Sequence, residues 1–430
     1  MSKLSFQKIS EYAFIILPVA LITGPLISEI CILFLSLFGI YYSYHKKDYE
    51  IFKSKIILAL FGFYALLVVS SFFSEFFIYS IKTSIPYIRF IFFAVGTYYV
   101  LNLNSKIKKK FLFVLVFCFL ALSIGGIYEF FIKKFCGGYN SLTYDYEIQN
   151  NFFFCSKYLF IGNILRPDRL SSFFGDEMIL GSYLSRLLPL LIFLIYIIVE
   201  KNKKNLFLIS FFLILIILTI ALSGERTSFF FSIIFFFIVL IFFKISFKIK
   251  IIIFSFTICM LSFLILFNET VKKRIFNQTL NQIFMEKNKL TFFSKEHQAH
   301  AITAYTIFIN HPIIGSGPKT FRKICPKDYS YLKGCTTHPH NLYLQLLSEV
   351  GIIGSIIPIY FLIFLLFYFL KEFIYLFLKN NNDLKFDKIC LFSCFLITLF
   401  PFVPAGNIFN NWISIIFYLP IGFYLDYIKR

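Results

Sequence analysis

The sequence predicts an all-α fold: a polytopic membrane protein with about twelve transmembrane helices and a large, partly helical outer loop between spans nine and ten. Three observations carry this expectation. The chain of 430 residues is 59% apolar and its mean hydropathy is +0.79, more apolar surface than a water-soluble domain needs. Apolar runs of about twenty residues recur, the length that crosses a bilayer as a helix. Lysines and arginines gather in short segments between those runs, where they fix orientation. The net charge of +20 is therefore read as a membrane-orientation signal, and no nucleic-acid partner is expected. The chain reads as one membrane domain, 1–430, carrying two large polar segments at 133–176 and 268–340.

The runs follow in order. Runs 11–27 and 28–44 form a hairpin turned at Gly24 and Pro25. The second follows the first at once, so the first reads as an anchor and not as a cleaved signal peptide. Run 56–73 ends at Ser74 and Glu75, and run 84–102 leads into Lys106, Lys108, Lys109 and Lys110. Run 111–132 precedes the first polar segment, and run 177–199 ends in EKNKK. Runs 205–222 and 228–243 are split by SGERTS, and run 250–267 precedes the longest polar segment. The tenth run starts within a histidine motif and ends near 370; the last two are 389–403 and 407–427.

Twelve spans place both termini on one side. The basic segments 45–55, 104–110, 200–204, 244–250 and 371–388 all fall on that side, which is therefore cytoplasmic. Both large polar segments and the SGERTS turn fall outside. An outer, oxidising compartment permits disulfides. Cys325–Cys335 would close a short loop just before the histidine motif, and Cys136–Cys155 would do the same in the first segment. Four unrelated thiols are the alternative.

The stretch Thr336–Gly354, TTHPHNLYLQLLSEVGIIG, is where polar residues crowd the mouth of an apolar helix. Pro339 suits the first helical position, which makes His338 the expected N-cap and puts His340 and Asn341 in the first turn. Asn341, Gln345 and Glu349 recur every fourth residue and share one face. Gly351 and Gly354 leave room for close backbone approach. A helix N-terminus suits an anion such as a phosphate, and the same field keeps His340 neutral, the form a general base needs.

Five of the six histidines, His297, His300, His311, His338 and His340, lie in the long outer segment. Their spacings, with no acidic residue at ligand distance, argue against a metal site. His297 and His300 are also compatible with a plain interfacial helix face. Arg226 stands at an outer span mouth beside Glu225, where it either caps a turn or reaches an anionic substrate with its planar fork. Arg166 and Arg169, before the sixth span, are candidates for a second phosphate contact. Asp176 and Glu177 suit that span's first turn through the helix dipole alone. Arg89 and Arg186 lie inside spans, where pairing with buried carboxylates is the ordinary outcome.

These residues resemble a known family, the O-antigen ligases and polymerases of bacterial envelopes. The resemblance rests on His340-Asn341, nine residues, then Gly351-x-x-Gly354; on HPIIGSG at 311–317; on SGERT at an outer span mouth; and on the overall layout. It implies periplasmic transfer of a glycan from undecaprenyl pyrophosphate by a multi-pass inner-membrane enzyme without a metal or other cofactor. The acceptor would be a lipid A–core sugar hydroxyl in a ligase, or another lipid-linked glycan in a polymerase. His340 would be the essential histidine and general base, and Arg226 an essential arginine on the pyrophosphate. His338, Asn341 and Gln345 would help bind substrate. The family's second arginine is replaced here by His297, with His300 one turn on, so that contact falls to these histidines or to Arg166 or Arg169. A transporter of an anionic lipid or solute is the reading from a different class. It predicts polar residues near mid-membrane on several spans, whereas here they cluster at the outer mouth.

Overall fold

The computed structural model describes residues 3–135, 162, 169–199, 203–280, 294–378 and 385–429. Arg166, Cys136 and Cys155 lie outside them. Five helices open the chain: α1 (Lys3–Thr23), α2 (Pro25–Lys46), α3 (Lys55–Phe72), α4 (Phe77–Leu103) and α5 (Ile107–Phe135). Next come α6 (Leu180–Ile198), α7 (Lys203–Ser223), α8 (Arg226–Phe242) and α9 (Phe247–Phe267). The long outer segment contributes α10 (Lys295–Asn310) and α11 (Phe321–Asp328), before α12 (Leu342–Leu378), α13 (Phe386–Thr398) and α14 (Asn411–Ile428).

Each of the twelve apolar runs falls on a helix. Among the described residues nine helices are long and apolar enough to cross a membrane, with Arg226–Phe242 a shorter apolar one. The last two runs are not among the nine. Helix α13 stops after 13 residues, and α14 carries Asn411, Pro420 and Asp426 within its apolar sequence. The architecture is that of a polytopic membrane protein. Of the nine, α6 is the most enclosed, with 78% of its span buried, whereas α9 has 6% and presents nearly its whole surface outward.

Among the described residues two buried or half-buried ion pairs tie helices together, and a buried third, within α5, anchors the chain beyond it. Lys133 meets Glu129 at 2.7 Å on α5, and the Glu129 carboxylate also accepts the Ser171 and Ser172 N–H groups at 2.9 and 2.7 Å. Lys133 donates to the Arg169 carbonyl at 2.7 Å, so this pair anchors the chain leading to α6. Arg89 meets Glu29 at 2.7 Å, and Lys108 meets Asp426 at 2.7 Å. Buried charges persist in an apolar medium when paired and hydrogen-bonded in this way.

The outer segment has its own small core. Ala304, Ile307, Phe321, Ile324, Cys325 and Tyr329 pack between α10 and α11. Cys325 and Cys335 form a disulfide, with Cα atoms 5.4 Å apart.

Candidate active site

Helix α12 begins later than its proline suggests. Asn341 is the N-cap: its Oδ1 accepts the Tyr343 and Leu344 N–H groups, each at 3.1 Å. Asparagine is among the best N-caps, and this pairing overrides proline's preference for the first helical position. His340 is therefore outside the helix, in a left-handed conformation with φ 56°. That backbone turns its carbonyl to the Ala405 N–H, 2.8 Å away in the loop between α13 and α14.

A break inside α12 holds the site from the other side. Gly351 has φ 69° and ψ −172°, so the helix is interrupted there. The turn at 311–317 plugs the gap. Ser316 and Gly317 N–H groups donate to the Ser348 and Glu349 carbonyls at 3.0 and 2.8 Å, and Ile352 N–H donates to Pro312 O at 2.9 Å. A Cβ on Gly351 would lie 2.3 Å from the Ile313 carbonyl oxygen, and one on Gly315 would lie 2.4 Å from the Glu349 backbone. The two glycine motifs of the sequence are thus one interlock. Ser70 of α3 completes it, donating to Ile314 O at 2.8 Å.

The polar face of α12 is committed to the protein. Glu349 accepts the Phe321 and Lys319 N–H groups at 3.0 Å each and the Gln345 side-chain amide at 2.9 Å. Gln345 also bonds Asn407 at 2.9 Å and accepts the Ile408 N–H at 3.2 Å. The Asn341 amide donates to Pro401 O at 2.7 Å. Asn341 and Gln345 are buried, and their hydrogen bonds fix the loops that frame the cavity.

Four imidazoles meet at this point. The His340 ring centroid lies 4.1 Å from that of His338, 5.4 Å from His297 and 5.3 Å from His300. His297 and His300 reach it from successive turns of α10, where Ser294 caps the helix by accepting the His297 N–H. His300 Nδ1 is 2.8 Å from Gly334 O, so it carries the proton and leaves Nε2 as an acceptor. His338 Nε2 faces Ala405 O at 3.3 Å and its Nδ1 faces the Thr337 hydroxyl at 3.0 Å, which sets the opposite tautomer. Among the described residues the ring of His340 has no hydrogen bond to the protein. Burial, then His338, His297 and His300, push the His340 pKa down to about 3. Burial and Arg322 push His338 down to about 4, and burial lowers His297. All three are neutral bases at neutral pH. Among the described residues no group of three or more His, Cys, Asp or Glu is arranged to hold a metal.

A cavity of about 1200 Å³ opens over the cluster, walled by His297, His338, His340, Arg169, Lys319 and Arg322 among others. Lys319 and Arg322 were not singled out by sequence. They follow HPIIGSG in a stretch whose glycines drew attention while its basic residues did not. Burial, then Arg322, lower the Lys319 pKa. Arg322 Nε is buried without a protein partner.

The family model described as O-Antigen ligase matches residues 211–359. Over those residues the chain is similar to the O-antigen ligase family. Comparison with curated proteins gives no match. That similarity supports activity of the general O-antigen ligase or polymerase type, a class that acts on lipid-linked glycans. The matched segment holds His297, His300, His338, His340, Arg226, Lys319 and Arg322. Arg226 is the first residue of α8 and half-buried. Its charge is felt at His297, and its neighbours Glu225, Thr227 and Ser228 line the cavity. Arg169 precedes the matched segment and reaches the same cavity, with Nη2 held by Met178 O at 2.9 Å.

Proposed function

We propose that this protein transfers a glycan from undecaprenyl pyrophosphate to a sugar hydroxyl of lipid A–core, on the periplasmic face of the inner membrane. The observation that carries the proposal is His340: a neutral imidazole with no protein hydrogen bond, at the wall of a large cationic cavity. Such a group accepts a proton from an incoming hydroxyl.

In the reaction the acceptor oxygen bonds to the anomeric carbon as the bond from that carbon to the pyrophosphate oxygen breaks. The hydroxyl proton goes to His340, and the leaving pyrophosphate takes the bonding electron pair. Attack in line with the leaving group inverts the anomeric centre. Arg226 stabilises charge developing on the pyrophosphate, and Arg169, Lys319 and Arg322 add fixed positive charge around it. His297, His300 and His338 set the environment of His340 and contact the donor glycan. Asn341 and Gln345 contribute by fixing the loops the substrates touch. Holding two lipid-anchored partners side by side supplies much of the remaining acceleration.

The test is a gel of envelope glycolipids from a deletion strain complemented with wild type or His340→Ala. Loss of polymer from lipid A–core in the deletion and His340→Ala strains, with long lipid-linked chains accumulating, supports the proposal. Core bearing one repeat and nothing longer replaces it with a polymerase. An identical pattern in every strain removes glycan transfer and favours transport of an anionic lipid.

A further inference from the structure

Of the two in-span arginines, Arg89 and Arg186, only Arg186 has no carboxylate at ion-pair distance among the described residues, although the Glu225 charge is felt there. It lies six residues beyond the first residue of α6, about 9 Å along the helix. It is 4% exposed. Its Nε donates to Ser182 Oγ at 3.3 Å, and its guanidinium lies 5.1 Å from the Phe231 ring centroid. Its Nη1 is buried and has no hydrogen-bond partner among the described residues. The nearby acid, Glu225, is committed elsewhere. One carboxylate oxygen accepts the Gly181 N–H at 2.7 Å; the other accepts the Ser182 N–H at 3.1 Å and the Ser228 hydroxyl at 3.0 Å. Arg89, Lys108 and Lys133 each hold a carboxylate at 2.7 Å. A buried guanidinium without one marks a place for an external anion.

What lies on either side of Arg186 identifies the anion. Above it is the cationic outer cavity. Below is an apolar cleft of about 530 Å³, walled by Phe63, Phe361, Phe364, Phe395, Phe417 and Ile421. The cleft reaches Lys55 at the start of α3 and Ile428 at the end of α14, so it extends along the spans. Arg186, Ala405, Gly406 and Ile413 line both spaces and form their junction. A ligand filling both has a long hydrocarbon chain, a phosphate at its end, and a polar group beyond.

We propose that Arg186 is a phosphate-binding residue for the lipid-linked donor: the isoprenoid chain occupies the apolar cleft, its first phosphate sits on Arg186 Nη1, and the glycan extends toward His340. This rests on the glycan-transfer reading above. The guanidinium supplies two directed donors where the donor lipid must change from apolar to charged.

The experiment measures binding of undecaprenyl pyrophosphate, undecaprenol and inorganic pyrophosphate to the full chain in lipid nanodiscs. Arg186→Gln is expected to weaken undecaprenyl pyrophosphate at least tenfold and leave undecaprenol unchanged, with Arg186→Lys recovering part of the loss. Gly406→Leu, which fills the junction, is expected to weaken both isoprenoids and spare inorganic pyrophosphate. Equal affinity of wild type and Arg186→Gln for undecaprenyl pyrophosphate overturns the proposal. So does equal loss of undecaprenol with a lowered melting temperature, which makes Arg186 a packing residue. Inorganic pyrophosphate binding as tightly as undecaprenyl pyrophosphate removes the cleft from it. His340→Ala separates the two readings: if it still transfers glycan while the Arg186 results hold, the catalytic scheme fails and the donor site stands.

Discussion

His340 is kept unprotonated by its surroundings. Burial and three neighbouring imidazoles hold it near 3, against an ordinary value of 6.5. Because the folded pKa is depressed, the unprotonated form persists as pH falls through 6.5. The kcat/KM of glycan transfer is therefore expected to show no descending limb at 6.5, and a pH profile of the purified enzyme checks this. A limb there would mean that His340 titrates normally. Linkage has the same sign: unfolded imidazoles bind protons below 6.5, folded His340 and His338 only near 3 and 4, so acid in that window favours unfolding. A pyrophosphate bound as proposed would raise the His340 pKa by its negative charge and so strengthen the proposed base. His340→Ala is expected to lower turnover by about 10²–10⁴-fold in single-turnover assays; a loss of less than tenfold would assign proton transfer elsewhere. His340 was readable in the sequence because HPHN stands directly before an apolar helix. Arg186 was not, since Arg89 looks the same in sequence and only the fold reveals which has a carboxylate. Lys319 sits in an aperiodic turn and Arg322 in the first turn of the eight-residue helix α11, too short a stretch to carry a readable pattern.

At the scale of the element, the break in α12 is what brings the outer segment onto the spans. An apolar run with two glycines reads as a continuous helix, because periodicity registers side chains and not the backbone of a distant turn. Hence the tenth run, from the histidine motif to near 370, was legible as a span, while its interruption at Gly351 was not. The helix start was misplaced for a related reason. Proline at 339 and asparagine at 341 compete for the boundary, and asparagine's two hydrogen bonds decide it. Gly351→Ala forces a Cβ to within 2.3 Å of Ile313 O at φ 69°. It is expected to cost more than about 1 kcal/mol and to loosen the 311–317 turn, seen as faster hydrogen exchange at Ser316 and Gly317. Unchanged protection would show that the interlock is not held by that glycine. The Cys325–Cys335 bridge restrains the approach to His338 and His340. Cys335→Ser is expected to destabilise the outer segment by about 2–4 kcal/mol, read as faster proteolysis between 311 and 341 at matched expression. Equal nicking rates would leave the bridge without a stabilising role.

For the whole molecule, the remaining question is which way it faces. All twelve apolar runs are helical, so an even number of crossings returns the C-terminus to the side of the N-terminus if every one spans. Short basic segments at 45–55, 104–110, 200–204, 244–250 and 371–388 fall on that side in this topology, and retention of short Lys/Arg-rich loops predicts that it is cytoplasmic. The cations of the outer cavity do not count against this. They belong to long segments, which translocate largely regardless of charge, and Lys319 and Arg322 line a cavity instead of anchoring a short loop. A green fluorescent protein fused after Arg430 is therefore expected to fluoresce, because it folds in the cytoplasm. A cysteine placed at Tyr305, 56% exposed on α10, is expected to react with a membrane-impermeant maleimide from the periplasmic side. A dark fusion together with labelling of Tyr305→Cys only after permeabilisation would invert the molecule. The His340 cavity would then open to the cytoplasm, and the periplasmic acceptor would have to be abandoned even if the chemistry of the site survived.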